Sequence, residues 1–132
     1  MKTTIGRICT VLCLSIMISC ASPLCGQCAE VTRLTRENGT VYGPSGKETY
    51  YNLNMNEIVN IMRDMGFDED EYPYWIREDG VKMLGDYVMV AADLNIRPRG
   101  CVVATTLGKA LVCDTGSFAN SNSRQIDIAV AW

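Results

Sequence analysis

The chain has 132 residues, room for one small domain, and carries 12 basic and 15 acidic side chains with no histidine. Without clustered Lys and Arg it lacks the means to displace counterions from phosphates, which argues against nucleic-acid binding. Without His, acid–base chemistry near neutral pH must come from carboxylates, Cys, Tyr or Lys, and no cofactor or metal is expected.

Residues 1–18, "MKTTIGRICTVLCLSIMI", open with Lys2 and Arg7 and run into an apolar stretch from Ile8 to Ile18. That stretch is short of the roughly 20 residues a spanning helix needs, so no stable membrane span is expected. A basic start, a short apolar core and then small residues form the pattern of a secretory signal peptide over residues 1–29. Cleavage fits after Ala21 or after Ala29, and "MISC" leaves a lipid anchor at Cys20 as a minor alternative. A secreted protein is the expectation. Removal of residues 1–29 takes away Lys2 and Arg7 and no acid, leaving 10 basic against 15 acidic residues, a net charge of −5. Five of the seven cysteines go with that region or border it, and Cys25-x-x-Cys28 alone is a weak metal or redox signal.

Residues 30–49 are polar, hold three glycines and a proline, and show no sustained period, so they read as a linker. In "NMNEIVNIMRDMGF", Met55, Ile58, Val59, Met62 and Met65 recur at helical spacing. Asn54 with Glu57 suggests a capping box and Gly66 a stop, which gives one amphipathic helix. Residues 67–80, "FDEDEYPYWIREDG", read as a solvated acidic loop, or as a sugar-stacking platform through Tyr72, Tyr74 and Trp75.

From Lys82 the pattern becomes short β-strands: "DYVMVAA" (86–92), "CVVATTL" (101–107), "KALVC" (109–113) and the closing "IDIAVAW". Leu107-Gly108-Lys109-Ala110 reads as a two-residue hairpin turn. Ala104 would then oppose Cys113, with Cys101 about 10 Å from that point, beyond disulfide reach. Both cysteines are therefore expected as buried thiols. The domain over 50–132 should be a monomer, mostly β with one N-terminal helix.

Three aspartates edge these strands. Asp93 follows "VMVAA", Asp114 follows "ALVC", and Asp127 sits inside "IDIAV". Ile126, Ile128 and Val130 share one strand face, which puts Asp127 on the other with Ala129 and Ala131. An aspartate among small apolar neighbours is uncommon unless paired or functional, and burial or a second carboxylate would raise its pKa toward that of a working general acid. Asp also favours strand ends, where it bonds nearby backbone, so the residues alone leave both readings open.

"VMVAADLNIRPRG", "ALVCDTG" and "QIDIAVAW" together resemble the 3D domain, named for its three aspartates. It occurs in the double-psi β-barrel of membrane-bound lytic transglycosylase A and in secreted stationary-phase survival proteins. Ala92-Asp93, Ile96 to Gly100, Asp114-Thr115-Gly116 and Ile126-Asp127 fill the family's pattern in order, over about residues 80–132. The resemblance implies a small double-psi β-barrel that cleaves peptidoglycan glycan strands as a lytic transglycosylase does, acting on glycosyl bonds in cell-wall turnover. It makes Asp127 the catalytic acid, with Asp114 and Asp93 tuning it or holding loops and sugar hydroxyls. The loop residues Thr115, Gly116, Ser117, Asn120, Asn122 and Arg124 become the rim of the sugar cleft.

The departures are specific. Between its last two aspartates the family carries "G-A-I-K-G-N-R". Here Ser117 to Gln125 is about two residues longer and lacks that Lys, leaving Arg124 to supply the charge. Leu94 follows Asp93 where Pro is usual, and the family's opening strands with their "T-A-Y" motif are not recognisable, so the barrel is abbreviated or its first half is built differently. A non-catalytic cell-wall glycan-binding or partner-binding module on the same barrel is the alternative function.

Overall fold

The computed structural model describes residues 32–132. The signal peptide expected over residues 1–29, its cleavage points and the alternative anchor at Cys20 lie outside them. Eight strands and one α-helix make the described fold mostly β: β1 (Val41–Gly43), β2 (Gly46–Tyr51), α1 (Asn56–Asp64), β3 (Tyr74–Ile76), β4 (Lys82–Leu84), β5 (Tyr87–Ala91), β6 (Val102–Thr105), β7 (Gly108–Asp114) and β8 (Ile126–Ala129).

β5 is the hub, because its run Val88–Ala91 is apolar on both faces and so suits a strand covered on both sides. One edge carries β7 in parallel register. The other carries β4 and then β8, both antiparallel. β2 joins β8 in parallel and β1 closes a hairpin on β2. The hydrogen-bonded order is β1-β2-β8-β5-β4-β3, with β6 attached through β7. This path is open, so strand pairing among the described residues does not close the double-psi barrel expected from the sequence. No described helix is long and apolar enough to cross a membrane.

Alternation splits the core in two. Val88, Val90, Val112, Ile126, Ile128 and Val130 pack on one side of the sheet. Met89, Leu111, Cys113 and Ala129 pack on the other, beneath Met55, which precedes α1, and Ile58 and Met62 of the helix. The methionine stripe is thus ordinary packing, with Met65 left exposed. Gly66 ends the helix as its position predicts: at φ +99° it donates to the Arg63 carbonyl while Phe67 N–H reaches the Met62 carbonyl, a Schellman pair. The capping box does not form. The helix starts one residue later, and Asn54 Oδ1 accepts from Asn56 N–H instead.

The segment expected as a linker is part of the sheet. β1 and the first four residues of β2 fall within residues 41–49, and Leu34 is buried. Its pattern is hidden because the inward residue of β2 is a carboxylate. Glu48 is fully buried and accepts from Thr106 N–H (2.9 Å to Oε1) and Thr106 Oγ1–H (2.6 Å to Oε2). Thr106 Oγ1 in turn accepts from Leu34 N–H at 3.0 Å. Gly43 stands where a methyl would overlap the Glu48 carboxylate. Glu48→Ala, which strands the Thr106 donors, and Gly43→Ala, which overpacks them, should each cost about 1–3 kcal/mol. Urea unfolding followed by tryptophan fluorescence measures both.

The same contact resets the β6–β7 hairpin. Thr105 pairs with Gly108 and Ala104 with Lys109, so Thr106 and Leu107 form the turn and Gly108, at φ +127°, begins β7. Leu107 is buried there, which placing it in a flanking strand position would not require. Cys101 and Cys113 are both free, and Cys113 is buried as expected, but Cys101 is exposed at the edge. The acidic stretch 67–80 is not all loop, since Tyr74-Trp75-Ile76 forms β3 against β4. Tyr72 packs between Phe67 and Tyr87 rather than presenting a free face. Trp75 remains accessible while its Nε1–H donates to the Gly85 carbonyl.

Candidate functional site

Ala91 of β5 pairs with Asp127 of β8 on one side and Asp114 of β7 on the other. Directly opposed residues in neighbouring strands share a face, so both carboxylates lie on the face that α1 covers further along. Simple alternation would not put Asp114 there. Val90 pairs with Val112, but Ala91 pairs with Asp114, which makes Cys113 an extra residue in β7. This bulge turns Asp114 from the face of Val112 to that of Asp127. Bulges commonly re-aim a side chain in this way beside functional sites.

Each carboxylate has its own donor from β2. Tyr51 Oη–H donates to Asp114 Oδ2 at 2.9 Å, and Thr49 Oγ1–H donates to Asp127 Oδ1 at 2.9 Å. Thr49 lies opposite Asp127 in the parallel β2–β8 register. Gln125 Nε2–H donates to Thr49 Oγ1 at 2.9 Å. Asp114 Oδ1 also accepts its neighbour Thr115 N–H. Asp114 is buried and Asp127 half-buried.

These environments act in different directions. Loss of solvation raises the Asp127 pKa, the Thr49 hydrogen bond offsets part of that, and the Asp114 charge adds to the rise. Tyr51 is pushed well above the usual phenol range, by burial first and then by Asp114, which keeps its hydroxyl a donor at every ordinary pH. Burial, then Asp114, pushes the Cys113 thiol up to about 12, so it is not a nucleophile near neutrality. Among the described residues no group of three or more His, Cys, Asp or Glu side chains is arranged to hold a metal.

Asp93, the third expected site residue, is not joined to this pair by any hydrogen bond. Its Oδ1 accepts Asn95 N–H and its carbonyl accepts Ile96 and Arg97 N–H, so it caps the turn after β5. Of the loop residues expected at the sugar cleft, Thr115 alone bonds the pair, through its N–H to Asp114. Gly116 is extended, Ser117–Asn120 make one 3₁₀ turn, and Thr115, Ser117 and Asn120 are exposed. Asn122 Oδ1 accepts Arg124 N–H, and Arg97 ties the loop down through the Arg124 and Ser45 carbonyls.

The residues that sequence reading missed are Thr49, Tyr51 and Gln125. The signal that could have found the first two is compositional: Thr49-Tyr50-Tyr51 is a run of β-branched and aromatic residues, which strands favour. Comparison with family models, with curated proteins and with solved structures finds no match to this chain.

Proposed function

We propose that this chain is a secreted, cell-wall-associated protein that cleaves peptidoglycan glycan strands in the manner of a lytic transglycosylase, with Asp127 as acid and then base. The observation that carries the reading is the bulge at Cys113, which brings Asp114 to the face of a half-buried Asp127 whose pKa is raised. A carboxyl that keeps its proton toward neutral pH can protonate the glycosidic oxygen as its bond to the muramic acid C1 breaks. The resulting carboxylate then takes the proton of the same sugar's 6-hydroxyl, whose oxygen bonds to C1 and closes a 1,6-anhydro ring. One carboxyl serves both steps, so no water-activating partner is needed.

Thr49-Tyr50-Tyr51 further supports the resemblance to the 3D domain, since it departs from "T-A-Y" only at its middle residue and its outer two hold Asp127 and Asp114. Incubation of residues 30–132 with purified sacculi should release muropeptides with anhydro ends, detected by mass spectrometry. Binding without those products would leave the second reading, a non-catalytic glycan-binding module. One observation favours that second reading. Two described grooves, of about 420 and 470 Å³, are lined by neither Asp114 nor Asp127, one beside Trp132 and Leu107 and one beside Tyr42 and Thr106.

A further inference from the structure

We infer that Gln125 and Thr49 form a one-way hydrogen-bond relay that fixes which oxygen of Asp127 carries the transferable proton. The inference rests on the glycan-cleaving reading above and assigns two positioning residues to it. A threonine hydroxyl has one proton and can accept as well as donate. Gln125 Nε2 can only donate, and it lies 2.9 Å from Thr49 Oγ1. The Thr49 proton is therefore free to point the other way, and Asp127 Oδ1 waits for it at 2.9 Å.

The consequence is a choice between two carboxyl oxygens. Oδ1 is occupied as an acceptor in both the protonated and the ionised state, so a proton on Asp127 resides on Oδ2. General acid catalysis needs the proton aimed at one substrate oxygen, and a carboxyl free to rotate would spend part of its time with the proton turned away. The backbone makes the relay rigid. Thr49 and Asp127 are register partners in adjacent parallel strands, and Gln125 immediately precedes β8. The titratable groups facing Asp127 are Asp114 from β7 and Tyr51 from β2, while β5 contributes the uncharged Ala91.

Gln125→Glu and Gln125→Leu separate this role from packing. A glutamate has nearly the shape of glutamine but accepts where glutamine donates, so it draws the Thr49 proton toward itself and turns the relay round. Leucine only removes the donor. The expected loss in kcat on sacculi is about 100-fold for Gln125→Glu and about tenfold for Gln125→Leu, with KM little changed in both. In a Thr49→Val background the two Gln125 variants should converge, because the hydroxyl that transmits the difference is gone.

A second measurement does not need turnover. Carbon-13 NMR titration of the Asp127 carboxyl should show its pKa rising further in Thr49→Val, since the bond that favours the ionised form is lost, and returning in Thr49→Ser. A Gln125→Glu protein as active as Gln125→Leu, or an Asp127 titration indifferent to Thr49→Val, overturns the relay. If the titrations move as expected but the wild-type protein makes no anhydro products, the glycan-cleaving reading fails and the relay is reduced to a structural contact.

Discussion

Asp127→Asn is expected to lower anhydro-muropeptide formation by about 10²–10⁴-fold, toward the upper figure, because a single carboxyl would serve as acid in one step and base in the next. The fold should survive the change. Asparagine has the same size, its Oδ1 can still accept the Thr49 hydroxyl, and the backbone pairing of Asp127 with Thr49 and Ala91 does not involve the side chain. Folding is further favoured by removing an ionisable group whose burial raises its pKa. The variant should therefore keep its far-ultraviolet circular dichroism and its co-sedimentation with sacculi while losing turnover. Loss of binding together with activity would assign Asp127 to glycan recognition rather than to proton transfer, and retention of more than about a tenth of the wild-type rate would move the general acid elsewhere.

How much of this site the sequence disclosed follows from how each residue signals its place. Ile126, Ile128 and Val130 alternate so clearly that the face of Asp127 could be read directly, and β8 forms where expected. The stripe Met55, Ile58, Met62 marked the helix for the same reason. Asp114 was identified as a strand-end residue, but its direction depends on one extra residue in β7, which only the partner strand's register reveals. β2 was missed because strand patterning assumes apolar residues face inward, and here the inward residue is Glu48, made acceptable by donors from a turn 58 positions away. With β2 went Thr49 and Tyr51, the donors that distinguish the two carboxylates. The hairpin register failed through a related cause. A glycine with positive φ was placed in the centre of the turn, whereas the Glu48 contact fixes Thr106 there and moves Gly108 into the strand. Asp93 illustrates the reverse case, a motif residue whose carboxylate does no more in the described structure than cap a turn.

Asp114→Asn should shift the basic limb of the pH–activity profile to lower pH. The acid must be protonated to act, so activity falls as pH rises through the Asp127 pKa, by about tenfold for each further unit. That pKa is raised first by burial and also by the negative charge of Asp114. Replacing Asp114 with a neutral amide removes the second contribution and leaves the first. Asp127 then ionises more readily, and the limb moves down without disappearing. The change is nearly isosteric: the asparagine oxygen can accept the Tyr51 hydroxyl, although its NH₂ must then face Thr115 N–H, which should cost some stability. Activity well below the limb should stay near wild type, because Asp127 is fully protonated there in both proteins. This low-pH plateau separates an electrostatic role from a structural one. A uniform drop at all pH values would mean that the introduced amide disturbs the geometry, and an unshifted limb would mean that the bulge at Cys113 re-aims Asp114 without coupling it to Asp127.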